Sequence, residues 1–199
     1  MGRSTPAPPI DKFTFWLGGV SQSEWHDVPG VEEVVVSPEF TYRGVRPGHY
    51  VITVNDLPSG WSMQSEMVDG RDALDFPFEI THGERRDVMI TLSDQTTEIA
   101  GAITDATGAP SFNHTVVIFA SDDRFWTPRS RRIQTVRSDT NGRYRVRGLP
   151  AGEYVVAIGP PDIEARQPPS SLLRTLSAVS ARVTLLEGEK KTHDLRTRD

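Results

Sequence analysis

Residues 144–158 read YRVRGLPAGEYVVAI, and residues 40–54 read FTYRGVRPGHYVITV. At an offset of 104 residues the two stretches superpose Arg43 on Arg147, Gly44 on Gly148, Gly48 on Gly152, Tyr50 on Tyr154 and Val51 on Val155. The phrase has a physical reading. Tyr144 and Val146 alternate with Arg143, Arg145 and Arg147, the period-two pattern of a half-buried strand. Gly-Leu-Pro-Ala-Gly then turns the chain, and residues 154–158 are almost continuously apolar, as a more deeply buried strand requires.

The echo extends beyond this hairpin-like unit. FEITHGERRDVMITL (78–92) matches RVTLLEGEKKTHDL (182–195) at an offset of 105, each with an apolar strand, a Gly-Glu turn, two basic residues and a final strand. The repeating unit is therefore a whole domain, because a period of about 104 residues lies far above the 20 to 50 of stacked repeats. The chain of 199 residues divides into modules 1–94 and 95–199 at the polar stretch SDQTTE, residues 93–98. Short apolar runs punctuated by Gly, Pro, Asn and Asp predict an all-β chain of two tandem antiparallel β-sandwich domains.

Two departures from pure strand pattern are expected. PSSLLRTLSAVSARV predicts one short helix in the second module, with Ser170 as its cap and Leu172, Leu173, Leu176 and Val179 on one face, packed over a sheet end. In the first module, Trp61, Met63, Ser65 and Met67 alternate with polar residues and predict an extra hairpin turning near Asp69 and Gly70. The second module opens with TEIAGAITDATGAP, and projecting that strand back by the repeat places its counterpart ahead of residue 1. GRSTPAPPIDKFTFWL then corresponds to TGAPSFNHTVVIF, so the first module is read as incomplete at its N-terminus. A sandwich lacking that strand leaves unpaired backbone groups and a slot that another strand would fill. Either a longer parent chain or a partner is expected to supply it.

Composition narrows the function. Apolar residues at 36% and charged residues at 25% mark a folded chain, and a net charge of -5 argues against nucleic acid as the default partner. The chain contains no cysteine, which excludes disulfides, thiolate nucleophiles and cysteine-ligated zinc. No apolar run reaches the roughly 18 residues of a membrane helix. MGRSTPAPPI has no apolar segment behind its arginine, so no signal peptide is read in this sequence.

TEIAGAITDATGAP, SDTNGRYRVRGLPAGEYVV and LLEGEKKTHDL together resemble the bacterial carboxypeptidase regulatory-like domain, a transthyretin-like (prealbumin-like) sandwich. The resemblance covers residues 95–199, and residues 10–94 resemble a divergent copy. It implies tandem modules of secreted or cell-envelope proteins and a kinship with carbohydrate-binding-like folds. Fold does not fix activity.

His26, His49, His82, His114 and His193 begin no zinc-binding helix motif, and no nucleophile elbow or phosphate-binding glycine loop occurs. Asp139-Thr140-Asn141-Gly142 has the start of a calcium loop but no glutamate at the required distance, so it is read as a hairpin turn. Related hydrolases end in Tyr-Arg-Gly-Ser, whereas this sequence ends Leu195-Arg196-Thr197-Arg198-Asp199. No lysine lies on TEIAGAITD for the isopeptide bond of related adhesins. The expectation is no enzyme, no metal and no cofactor.

Two surface features remain. From Arg124 to Arg147 there are eight arginines and a single acid, Asp139, and Arg143, Arg145 and Arg147 would share the outer face of one strand. That stripe is either a solvated sheet face or a polyanion site. Trp126, flanked by Arg124, Arg129 and Arg131, and Trp25 in a nearly equivalent loop are the candidate ligand-binding residues, since sugar sites pair a flat aromatic face with oriented polar groups. The competing reading is that each tryptophan folds back over a sandwich end. The expected function is a non-catalytic structural or interaction module of a bacterial secreted or envelope protein, its partner a glycan or another envelope protein. The alternatives are a carbohydrate-binding module, or a piece of a larger peptidase or transporter whose chemistry lies elsewhere.

Overall fold

A computed structural model describes residues 14–21, 24–28, 32–36, 39–127, 130–160, 163 and 168–197. The chain separates into two compact units, Met1–Asp94 and Gln95–Asp199.

The strands of the first unit are β1 (Thr14–Ser21), β2 (Glu24–Asp27), β3 (Glu32–Val36), β4 (Glu39–Arg43), β5 (Gly48–Asn55), β6 (Ser62–Val68), β7 (Arg71–Asp72), β8 (Phe78–Ile80) and β9 (Val88–Ser93). One layer is the sheet β2-β1-β5-β8; the other consists of the hairpin β3-β4 and the three-stranded sheet β7-β6-β9. Leu17, Tyr50 and Ile52 of the first layer pack against Phe40, Tyr42, Val88 and Ile90 of the second. Phe15 stacks on Phe40 with ring centroids 4.2 Å apart. The predicted extra hairpin is β6-β7. It turns at Asp69 and Gly70, with φ of 48° and 76°, the left-handed pair that matches strand twist in a two-residue turn. The Asp69 carboxylate holds the turn by accepting from the Asp87 N–H at 3.0 Å and from Arg86 Nη1 at 2.8 Å. The facing of β6 differs from the expected alternation. A register shift between Met63 and Ser65 opposite β9 reverses the pleat, so Glu66 and Val68 are buried while Met67 is only partly covered.

The second unit comprises β10 (Glu98–Thr104), β11 (Thr115–Ala120), β12 (Ile133–Arg137), β13 (Arg143–Arg147), β14 (Gly152–Ile158), α1 (Ser170–Val179), β15 (Arg182–Leu185), β16 (Lys190–Thr192) and β17 (Leu195–Arg196). Its sheets are β12-β11-β14-β15 and β13-β10-β16, with β17 continuing alongside β10. Ile99, Ile103, Tyr144 and Val146 from one sheet meet Val116, Ile118, Tyr154, Val156, Val183 and Leu185 from the other. The pairing of β10 with β16 and β17 is parallel, a local departure from the antiparallel expectation. β15 lies in the opposite sheet, and the chain crossing back from it arrives beside β10 running in the same direction.

The helix corrects three details of the sequence reading. Its cap position is Pro169, without a side-chain cap bond, so Ser170 is the first helical residue rather than the cap. Leu173 and Leu176 are buried, but Val179, the last residue of the helix, is 51% exposed. The helix also covers a sheet face, not a sheet end. Leu173 and Leu176 pack on Val117, Phe119, Val155 and Ala157, the residues of β11 and β14 that face away from the other sheet. Burial on both faces explains why residues 116–120 form an unbroken apolar run.

The repeated phrase is the corner between layers. In each unit it carries the chain from one sheet to the other, β4 to β5 and β13 to β14. Gly44 and Gly148 take φ of 77° and 75°, a left-handed conformation that other residues adopt only with strain. Four residues before each tyrosine a backbone carbonyl is caught. Tyr50 Oη donates to Arg46 O at 2.6 Å, and Tyr154 Oη donates to Pro150 O at 2.7 Å. This is a tyrosine corner. Tyr154→Phe removes the hydroxyl while keeping the ring, and is expected to cost about 1–1.5 kcal/mol in urea denaturation, with an unchanged dependence on urea concentration.

Candidate functional site

The three outward arginines of β13 lie on one face, with Tyr144 and Val146 buried between them, as the alternation required. The neighbouring strand changes their electrostatics. β10 aligns Glu98 opposite Arg147, and Glu98 accepts from Arg147 Nε at 2.7 Å and lies 3.4 Å from Arg145 Nε. The Arg147 hydrogen bond above all, and then the charge of Arg145, hold the Glu98 carboxyl below its ordinary value. Only Arg143 of the three has no side-chain partner among the described residues. Beside it lies a shallow groove of about 610 Å³ floored by Ala100, Gly101 and Ala102 and edged by Arg137, Arg143 and Asp194. Asp194 is occupied in part, since its carboxylate accepts from the Ala102 N–H at 2.8 Å.

Most of the remaining arginines are also engaged. Arg137 Nε donates to Asn113 Oδ1 at 2.9 Å. Arg132 Nη1 donates to Ala151 O at 2.9 Å and to Tyr154 Oη at 3.3 Å, while its guanidinium sits 4.5 Å over the Phe125 ring. The Arg124 guanidinium also lies over that ring, 4.6 Å from the Phe125 centroid, and 2.9 Å from the Asp122 carboxylate. The basic run is thus largely a set of internal clamps around one corner of the unit.

Trp126 follows a short 3-10 turn at Asp123–Phe125. Its indole N–H donates to Ala120 O at 2.8 Å, and its ring packs edge-on against Phe119 with centroids 5.6 Å apart, joining the cluster beneath α1. Arg131 is partly buried in the turn before β12. Arg129 lies outside the described residues. The Trp25 backbone pairs with Val20 in β2, but its side chain also lies outside them. The structure therefore brings Trp126 and Arg124 to one loop and gives both internal partners.

Asp139 accepts through Oδ1 from the Asn141 and Arg143 N–H groups, each at 2.8 Å, and Gly142 sits at φ 72°, the geometry of a hairpin turn. Among the described residues no three His, Asp or Glu side chains converge as a metal-ligand set. One contact escaped the sequence reading. Ser111 Oγ lies 2.7 Å from His114 Nε2, the separation of a nucleophile and its base. Nothing in the spacing singled it out. No described carboxylate orients the other imidazole nitrogen, which a working triad requires. The Glu98 bridge was equally hidden, since it joins residues 47 and 49 positions apart.

Two outcomes follow from this geometry. Trp126→Ala removes a ring and a hydrogen bond from the cluster under α1 and is expected to cost about 2–3 kcal/mol in equilibrium unfolding. Because the Glu98 carboxyl is held below its ordinary value, its ion pairs contribute fully above pH 4.5, the ordinary value, and are lost as pH falls through the lowered one. Glu98→Gln is therefore expected to lower the melting temperature at neutral pH and to match the parent chain in strong acid.

No curated protein matches the chain. Solved structures that it resembles include catechol 1,2-dioxygenase from Pseudomonas arvilla C-1, at 12% identity over 51% of each chain with a TM-score of 0.34. The minor pilin of Streptococcus agalactiae overlaps at 14% identity over 74% of this chain and 63% of that one, TM-score 0.34. The major pilin subunit of Bacillus cereus overlaps at 11% identity over 95% and 56%, TM-score 0.38. The chain spans about half the length of the first of these, and overlaps this partial carry no statement about activity. The model of the carboxypeptidase regulatory-like domain matches residues 98–197, the span from β10 through β17, and with half its length inside that match the chain belongs to the carboxypeptidase regulatory-like domain family.

Proposed function

We propose that the chain is a non-catalytic structural and interaction module of a bacterial secreted or cell-envelope protein, made of two tandem copies of one sandwich domain. The observation that carries this reading is the state of the polar groups on the second unit. Glu98, Arg132, Arg137, Arg147 and Trp126 each spend their hydrogen-bonding capacity on neighbours within the unit. Groups held this way stiffen a scaffold; catalysis needs them aimed at a reacting atom. The corner shared by Tyr50 and Tyr154 supports the reading of the two units as copies, since the same offset superposes glycines, tyrosines and hydrogen-bonded carbonyls. Family membership supports the envelope assignment, and no helix among the described residues is long and apolar enough to cross a membrane.

The test has two parts. Fractionation of the source cells, followed with an antibody to the purified chain, is expected to recover the protein with the envelope or the medium. The purified chain is expected to turn over no ester, peptide or glycoside. Recovery from the cytosol alone, or turnover proportional to protein concentration, would overturn the proposal.

A further inference from the structure

The outer face of the β13-β10-β16 sheet is built in rows that cross it from strand to strand. Backbone register sets Arg145 beside Ala100 and Ala100 beside Thr192, and in the next row Arg143 beside Ala102. Asp194 completes that second row: it lies between the end of β16 and the start of β17, and its carboxylate accepts from the Ala102 N–H at 2.8 Å. Alternation turns the arginines outward, with Tyr144 and Val146 buried between them. The two rows form a trough. Arginines make one wall, alanines the floor, and a hydroxyl and a carboxylate the other wall. Neighbouring strands lie about 4.8 Å apart, so the two walls stand roughly 10 Å from each other at the backbone. The space between them is the groove of about 610 Å³, inside the range of roughly 300–1,000 Å³ of small-molecule sites.

A third row shows what the arginine wall takes. There the floor residue is Glu98, set between Arg147 and Lys190. Its carboxylate lies 2.7 Å from Arg147 Nε and 3.4 Å from Arg145 Nε. Over the alanines no side chain plays that part. The positions of β10 that face Arg143 are Ala100, Ala102 and Thr104, none of them an acid, and Arg143 has no ion-pair partner among the described residues. The far wall narrows the choice of ligand. Thr192 and Asp194 line it, and a fixed carboxylate there repels a second anion while accepting from hydroxyl donors. A polyanionic chain would therefore meet repulsion across the trough, whereas a molecule with one anionic end and one hydroxylated end matches both walls.

We infer that this groove binds a small hydroxylated carboxylic acid, its carboxylate on Arg143 and Arg145 above the alanine floor and its hydroxyls on Thr192 and Asp194. Such a site is additional to the scaffold role proposed above, which stands whether or not the groove is filled.

The probe is gluconate, titrated into the full chain and followed by nuclear magnetic resonance at the Ala102 amide and the Arg143 Nε–H. Saturable shifts confined to β10, β13 and residues 192–194 are expected. Acetate, which has the carboxylate alone, is expected to bind about fivefold more weakly, and glucose, which has hydroxyls alone, not to approach saturation. Arg143→Gln, an exposed change, is expected to weaken gluconate about tenfold without altering Tm. Asp194→Asn keeps an acceptor for the Ala102 N–H and is expected to weaken gluconate about threefold while leaving acetate unchanged. The inference is overturned by the absence of saturable shifts, by shifts centred on other strands, by gluconate binding that Arg143→Gln leaves intact, or by glucose binding as tightly as gluconate. Heparin binding more tightly than gluconate also overturns it, since that is the behaviour of a charged surface and not of a groove for one anion.

Discussion

The tyrosine hydroxyl bonded to the carbonyl four residues behind it is the constraint on which both units depend. A sandwich needs its chain to leave one sheet and enter the other at a fixed angle, and here that step occurs in a few residues. The left-handed glycine starts the turn, and the phenol, buried at the base of the next strand, closes it. A buried hydroxyl without a partner is costly, so the bond ties the position of the ring in the core to the path of the loop above it. In the second unit Arg132 reinforces the same place by donating to the Ala151 carbonyl and the Tyr154 oxygen. That arginine is held in turn over Phe125, so the Trp126 loop and the corner support each other.

A second constraint is the occupied centre of a sheet. β10 contributes Ile99 and Ile103, both fully buried, and its flanks are locked by contacts that only a central strand can make. A side chain at Gly101 would run into the His193 carbonyl and the Tyr144 ring. The Thr97 hydroxyl donates to the Leu149 carbonyl, fastening the start of the strand to the corner. Glu98 draws two arginines of β13 toward a single carboxylate. The first unit repeats the corner but, among its described residues, has no strand in this place.

The candidate site was legible only in part. Alternation placed Arg143, Arg145 and Arg147 on one face correctly, because the period of a strand is local. It could not tell which of them would be neutralised, since the answer lies on a strand almost fifty positions away. Trp126 read as a residue in a polar loop, and it is in one. Whether its ring faces solvent or core depends on α1 arriving some forty positions later to roof the same cluster. The contact of Ser111 with His114 left no mark in the sequence, because two polar residues three apart in a loop meet only when the loop bends to bring them together.

What the amino-acid sequence determined by itself is local and periodic: the strands, the corner repeated at one offset, the hairpin at Asp69 and Gly70, and the presence of one helix. These follow from side-chain alternation, from glycine's access to positive φ and from proline's fixed φ, which act within a few residues. Tertiary structure alone decided the register shift that turned Glu66 inward, the face of the sheet that the helix covers, the parallel partner of β10 and the pairing of the arginines. Each of those depends on which distant strand lies alongside. Hydrogen-bond register and packing against a second layer are properties of pairs of segments, and no single segment carries them.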